Sequence, residues 1–119
     1  MEWRLRNDGK RLVASPIGRV DEDSWKAFGE HLTAAVGEAG AAGLPLVLDL
    51  SRLEYMTSKG LRALTVAKGA AQAGGRGGGT TIHLAAANET MRRILSISRY
   101  DMLFPVVDDV DQVGGLQKP

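Results

Sequence analysis

Apolar and polar positions change their period several times along the chain, and those changes mark out its elements. Trp3 to Arg6 and Arg11 to Ile17 alternate in part and are separated by Asn7-Asp8-Gly9. Asp-Gly between two such runs predicts a hairpin, because tight hairpin turns need residues that tolerate positive φ. Pro16 has no N–H to give to a ladder, which limits the second run to an edge or a strand end. From Trp25 the period lengthens: Trp25, Phe28, Leu32, Ala35, Val36 and Ala39 recur at helical spacing. Asp21-Glu22-Asp23-Ser24 supplies acidic and cap-forming groups for the positive end of that helix, and Gly40 and Gly43 end it.

Leu44 to Leu50 is an apolar run without alternation, as in a strand buried on both faces. Ser51 to Met56 reads as a connector. Thr57-Ser58 caps a second helix with Leu61, Leu64, Ala67 and Ala71 on its inner stripe, and Gly74 to Gly79, interrupted only by Arg76, breaks it. Thr80 to Ala86 is a further strand. Asn88 caps a third helix carrying Met91, Ile94 and Leu95, and Met102 to Val107 is a last strand. The predicted order is β-β-α-β-α-β-α-β. Strands alternating with helices from Leu44 onward argue for parallel strands joined by right-handed crossovers, hence an α/β or mixed-sheet fold.

With 119 residues, 44% hydrophobic and 24% charged, the chain suits one domain over 1–119 with one core. It has no cysteine, which excludes disulfides, thiolate metal sites and a cysteine nucleophile. Fifteen Lys and Arg against fourteen Asp and Glu leave a net charge of +1, without the basic excess that nucleic-acid binding draws on. The apolar run through Gly43 to Leu48 is far short of the ~20 residues that span a bilayer. Met1-Glu2-Trp3-Arg4 does not open a signal peptide, so a soluble cytoplasmic domain without membrane insertion is expected.

Few residues carry chemistry. His31 lies off the apolar stripe and His83 alternates with Ile82 and Leu84; neither has a partner at ligand spacing, so no metal site is expected. A serine triad would need Ser58 and His83 to meet, and no nucleophile-elbow glycines surround Ser58. The glycine run lacks the Lys-Ser/Thr ending of a phosphate loop and follows a helix, so it reads as a flexible connector. Asp108, Asp109 and Asp111 lack the pattern of a calcium loop and read as a solvated acidic end. Arg4, Arg6, Lys10 and Arg11 read as a solvated hairpin face. Asp49 is expected to accept backbone hydrogen bonds from the connector after it.

Ser58 stands apart. It follows a buried strand and sits where a helix starts, at the carboxyl end of the sheet where ligands and partners gather. A phosphate there would be stabilised by the helix dipole, yet it would put nearly two negative charges on the surface. Burying them unpaired against a partner would cost roughly 30- to 5,000-fold in affinity. The competing reading is a plain helix-capping serine.

Leu46-Val-Leu-Asp-Leu-Ser-Arg-Leu-Glu-Tyr-Met-Thr-Ser-Lys-Gly-Leu-Arg-Ala-Leu64 resembles the signature of STAS domains, the bacterial anti-sigma factor antagonists and their relatives. Ile17-Gly-Arg-Val-Asp21 looks like the family's second strand and the turn into its first helix, and the later elements fall in the family's order. The resemblance implies a STAS-type fold, a mixed sheet of four to five strands packed with three to four helices. It implies a binding module, not an enzyme, and no cofactor. The module would bind an anti-sigma factor that is also a serine kinase of the ATPase fold. Phosphorylation of the motif serine would end the capture and a phosphatase would restore it. That serine is Ser58, with Thr57 a second candidate; Thr57, Ser58, Lys59, Gly60, Leu61 and Arg62 would line the docking surface. Thr57 and Lys59 replace the usual Asp and Ser, a local change of about +2 in charge. The alternative is a STAS subunit without a phosphoswitch, as in a lipid-transport ATPase or a signalling assembly. A small enzyme or nucleotide binder is a third class.

Overall fold

The computed structural model describes residues 1–73 and 79–114. Gly74 to Gly78, most of the predicted glycine connector, and the tail after Gly114 lie outside the described residues. The hairpin forms as expected: β1 (Glu2–Asn7) pairs antiparallel with β2 (Leu12–Val20), Asn7 facing Leu12. Its turn is held by side chains. Asp8 Oδ1 accepts from the N–H groups of Lys10 and Arg11, both at 3.0 Å, and Gly9 takes φ +87°.

Beyond the hairpin the described elements are α1 (Trp25–Ala42), β3 (Leu46–Asp49), β4 (Leu53–Met56), α2 (Ser58–Ala73), β5 (Ile82–Ala85), α3 (Glu89–Ile97) and β6 (Val106–Val107). Short 3₁₀ turns cover Tyr100–Met102 and Val110–Gln112. The six described strands run β1-β2-β3-β5-β6, and β4 adds to β2; only the β1–β2 pair is antiparallel. The fold is thus mixed α/β with the predicted alternation, and its sheet is wider than four to five strands.

The extra strand is β4, within the stretch expected to be a connector. Asp49 Oδ1 accepts from Ser51 N–H at 3.0 Å, as the sequence suggests, and the chain turns back into the sheet. β4 then pairs parallel with Gly18–Val20, while Leu12–Ala14 of the same β2 pair with β3. Gly18, at φ +101°, opens the β4 ladder, whose register slips between Gly18 and Arg19. Pro16 faces Trp3 between the two parallel ladders, where its missing N–H interrupts neither. It therefore lies inside a long interior strand, not at an edge or a strand end.

Both boundaries of α1 differ in detail from expectation, as does the last strand. Gly40 is buried inside α1, and only Gly43, in the left-handed region at φ +69°, ends the helix. Ser24 makes no side-chain cap to α1; its hydroxyl donates to Arg19 O at 2.9 Å. Asn88 does cap α3, accepting from Met91 N–H at 2.8 Å. The last strand is only Val106–Val107, because Tyr100–Met102 coils into a 3₁₀ turn stacked against Phe104.

Strand alternation divides the apolar residues between two faces. Leu12, Ala14, Leu46, Leu48, Ile82 and Leu84 meet Phe28, Leu32, Leu64, Ala67, Met91 and Leu95 of the three helices in one large core. Val47 and Ala85 face the other way and pack with Val113, Val107 and Val110. Arg11, expected to be solvated, is 4% exposed. Its guanidinium donates to Asp111 Oδ1 at 2.9 Å and lies 3.6 Å from Asp8, tying the hairpin turn to the C-terminal 3₁₀ turn. Asp108 and Asp111 are therefore ion-paired, Asp108 with Arg92 at 2.8 Å.

Two carboxylates make the fold acid-sensitive. The Lys10 N–H on Asp8, and the Asp23 N–H on Asp21, hold these groups below their ordinary 3.8 against a smaller opposing effect of burial. A depressed folded value favours the native state at neutral pH, and the benefit disappears as pH falls through that value. Chemical denaturation should show stability declining below about pH 4. The decline should be shallower in the Asp8→Ala/Asp21→Ala variant, which starts out less stable at pH 7.

Candidate functional site: the start of α2 and its groove with α1

The end of β4 delivers the chain to α2 under tight constraint. Thr57 N–H donates to Val20 O at 2.9 Å, continuing the β2–β4 ladder to the last residue before the helix. Its carbonyl then accepts from the N–H groups of Gly60 and Leu61, at 2.9 and 3.2 Å. The Thr57 hydroxyl is buried and has no hydrogen-bond partner among the described residues, so it does not cap the helix. Ser58 is the first residue of α2 and not its cap. Its side chain is exposed and makes no hydrogen bond among the described residues.

The six residues expected to line a docking surface divide by direction. Ser58, Lys59 and Arg62 are exposed, Thr57 and Leu61 are half-buried, and Gly60 is buried. Gly60 serves close approach, but of this chain's own sheet. A Cβ there would stand 2.8 Å from Val20 Cγ1 and 2.9 Å from Met56 Cβ. Leu61 packs against the main core.

α1 and α2 begin at the same end of the molecule. Lys59 Nζ lies 3.2 Å from Glu22 Oε1, just ahead of α1, and 5.0 Å from the ring centre of Trp25. Lys26 Nζ lies 5.7 Å from that ring centre. The two helix N-termini thus lie side by side with their positive ends together. Asp21, Glu22 and Asp23 offset the charge at α1. The first turn of α2 holds no acidic residue and adds Lys59. Between the helices runs an open groove of about 620 Å³, lined by carbon from Trp25, Gly29, Ala34, Ala63 and Val66. At the N-terminal end it shares Trp25, Lys59 and Arg62 with a recess of about 270 Å³ that includes Ser58. The sequence offered Trp25 only as a position on an apolar stripe; its place beside Ser58 follows from helix packing.

The histidines stand elsewhere. His31 stacks on Trp3 with ring centres 4.9 Å apart. His83 lies between Ile82 and Leu84, both in the helix-side core, so it points to the opposite face of the sheet from α2 and does not meet Ser58. Burial holds its imidazole below the usual value. Among the described residues no three His, Asp or Glu side chains gather where a metal would be held. No described helix is long and apolar enough to cross a membrane.

Residues 3–107 match the family model described as "Mlab, STAS domain". The chain belongs to the STAS family. Solved STAS-fold structures superpose on it over most of its length. An anti-sigma factor antagonist from Mycobacterium paratuberculosis aligns at TM-score 0.75 and 23% identity, covering 93% of this chain and 88% of that one. An anti-sigma-factor antagonist (STAS) domain protein from Planctomyces limnophilus aligns at 0.77 and 16%, covering 92% of each chain. The Bacillus cell fate determinant SpoIIAA in its phosphorylated form aligns at 0.58 and 17%, covering 88% and 90%. No curated protein matches the chain. At these identities the superpositions establish the STAS fold.

The fit of Gly60 can be measured. Gly60→Val should destabilise by about 1–3 kcal/mol through overpacking against Val20 and Met56. Gly69→Ala, where a Cβ meets nothing within 4 Å, should stabilise α2 by about 0.5–1 kcal/mol. Urea titrations of the two variants should therefore move in opposite directions.

Proposed function

We propose that this STAS domain is an anti-sigma factor antagonist that works by partner switching. The exposed start of α2 docks onto an anti-sigma factor that is also a serine kinase of the ATPase fold. Phosphorylation of Ser58 ends the complex, a phosphatase restores it, and transcription is regulated by the sigma factor released in between. The chain itself acts by binding, not by catalysis. The observation that carries this reading is the placement of Ser58: a hydroxyl without a hydrogen bond among the described residues, on the first residue of a helix whose own first turn holds no acidic side chain. A phosphate there is tolerated by the fold, because the dipole and the neighbouring cations stabilise it. The same charge is costly once a partner covers it. Thr57 is the weaker acceptor, since its hydroxyl is buried.

One observation favours a second reading, a STAS subunit without a phosphoswitch in another assembly, such as a lipid-transport ATPase or a signalling complex. Lys59 and Arg62 flank Ser58 on the exposed side, so a phosphate's charge of nearly −2 would be largely met by these two cations. The repulsion that a switch needs is thereby reduced.

Capture from the source organism's lysate separates the two. Wild type and Ser58→Ala should retain the same kinase-fold partner, and Ser58→Glu should lose it, with affinity reduced roughly 30- to 5,000-fold. Equal retention by all three would show a constitutive subunit.

A further inference from the structure

We propose that the α1–α2 groove receives an amphipathic helix of a partner protein, which presents a ridge of large apolar side chains and an acidic residue at the Ser58 end. This deepens the partner-binding reading above and rests on it. The groove has the dimensions for such a ridge. Trp25 to Ala34 on α1 and Lys59 to Val66 on α2 span roughly 14 and 11 Å at ~1.5 Å per residue, about two turns of an occupant helix. Side chains at i, i+4 and i+7 of that helix would fill it. Gly29 and Ala63 keep the floor shallow in side chain, so a second backbone can come close; a Cβ on Gly29 would meet only Ala63 Cβ, at 3.8 Å. Val66, at 63% exposure, leaves one apolar wall open to solvent.

Charge sets the direction of the occupant. Lys26, Lys59 and Arg62 line the groove, and Glu30 is the one carboxylate among its lining residues. Glu22 offsets Lys59. Among the described residues Lys26 and Arg62 have no carboxylate within 4 Å, so they are available to an acid on a partner. The two parallel helix N-termini add to the positive potential at that end.

The test needs no natural partner. A displayed library of 16-residue amphipathic helices is selected against the full chain, and the binders are titrated onto it by the fluorescence of Trp25 in a Trp3→Phe background. Selected helices should carry Asp or Glu at one end of an i, i+4, i+7 apolar ridge. Val66→Glu, which places a carboxylate on the apolar wall at an exposed position, should weaken them at least about tenfold. Gly29→Leu, which fills the floor, should do the same. Arg62→Glu should shift a fresh selection toward Lys at that end, with the original helices weakened about tenfold. Thermal melts establish that each variant is folded. Binders indifferent to Val66→Glu and Gly29→Leu, or without acidic preference, overturn the proposal. So does a library that yields no binder, whether or not decanoate, titrated in parallel as a small apolar probe, quenches or shifts Trp25. If the groove fails while Ser58→Glu still loses its partner, the switch reading stands and only the groove assignment falls.

Discussion

The geometry of the α2 end depends on how β2 divides one edge between two neighbours. Leu12–Ala14 hold β3, Gly18–Val20 hold β4, and Gly18 supplies the left-handed backbone at the change. Because β4 is held there, Thr57 N–H reaches Val20 O, and α2 begins at a fixed point above the sheet. Gly60 completes the constraint, since no side chain fits between α2, Val20 and Met56. Ser58 owes its exposure to this. With Gly60 turned inward and the Thr57 hydroxyl buried, Ser58, Lys59 and Arg62 are turned out together.

Electrostatics then distinguishes two helix ends that backbone geometry makes alike. Three carboxylates precede α1, and one of them, Asp21, is locked by the N–H groups of Asp23 and Ser24 at 3.0 and 3.2 Å. At α2 the ion pair among the described residues is borrowed: Glu22, from the neighbouring turn, reaches Lys59. One end is compensated and the other is left positive beside an apolar groove. A charge added at Ser58 would act at this positive end, where a partner's acid would also be drawn.

Much of this was legible from residue order, for physical reasons that differ by element. The hairpin, the buried β3, the Asn88 cap and the Asp49 turn are local: each is specified by residues within a few positions of one another. β4 was not legible, because Leu53-Glu-Tyr-Met56 is short and its partner is the far half of β2, more than thirty positions away in the chain. Pro16 misled for the same reason, since propensity cannot tell that the strand changes partner beside it. Arg11 looked solvated because its partner, Asp111, lies 100 residues on. Ser58 was marked first by its place after a buried strand and then by resemblance to the STAS signature; Trp25 and the groove arise only when two helices are laid side by side.

The Arg11–Asp111 pair also orders the making of the protein in time. The hairpin turn that carries Arg11 leaves the ribosome 100 residues ahead of Asp111. Until Asp111 arrives, the guanidinium has only Asp8 near it, and the face bearing Val47 and Ala85 waits for Val110 and Val113. The helix-side core can assemble earlier, since Met91 and Leu95 precede that segment. A nascent chain therefore closes one side of its sheet before the other, and the later-made turn seals the earlier-made one.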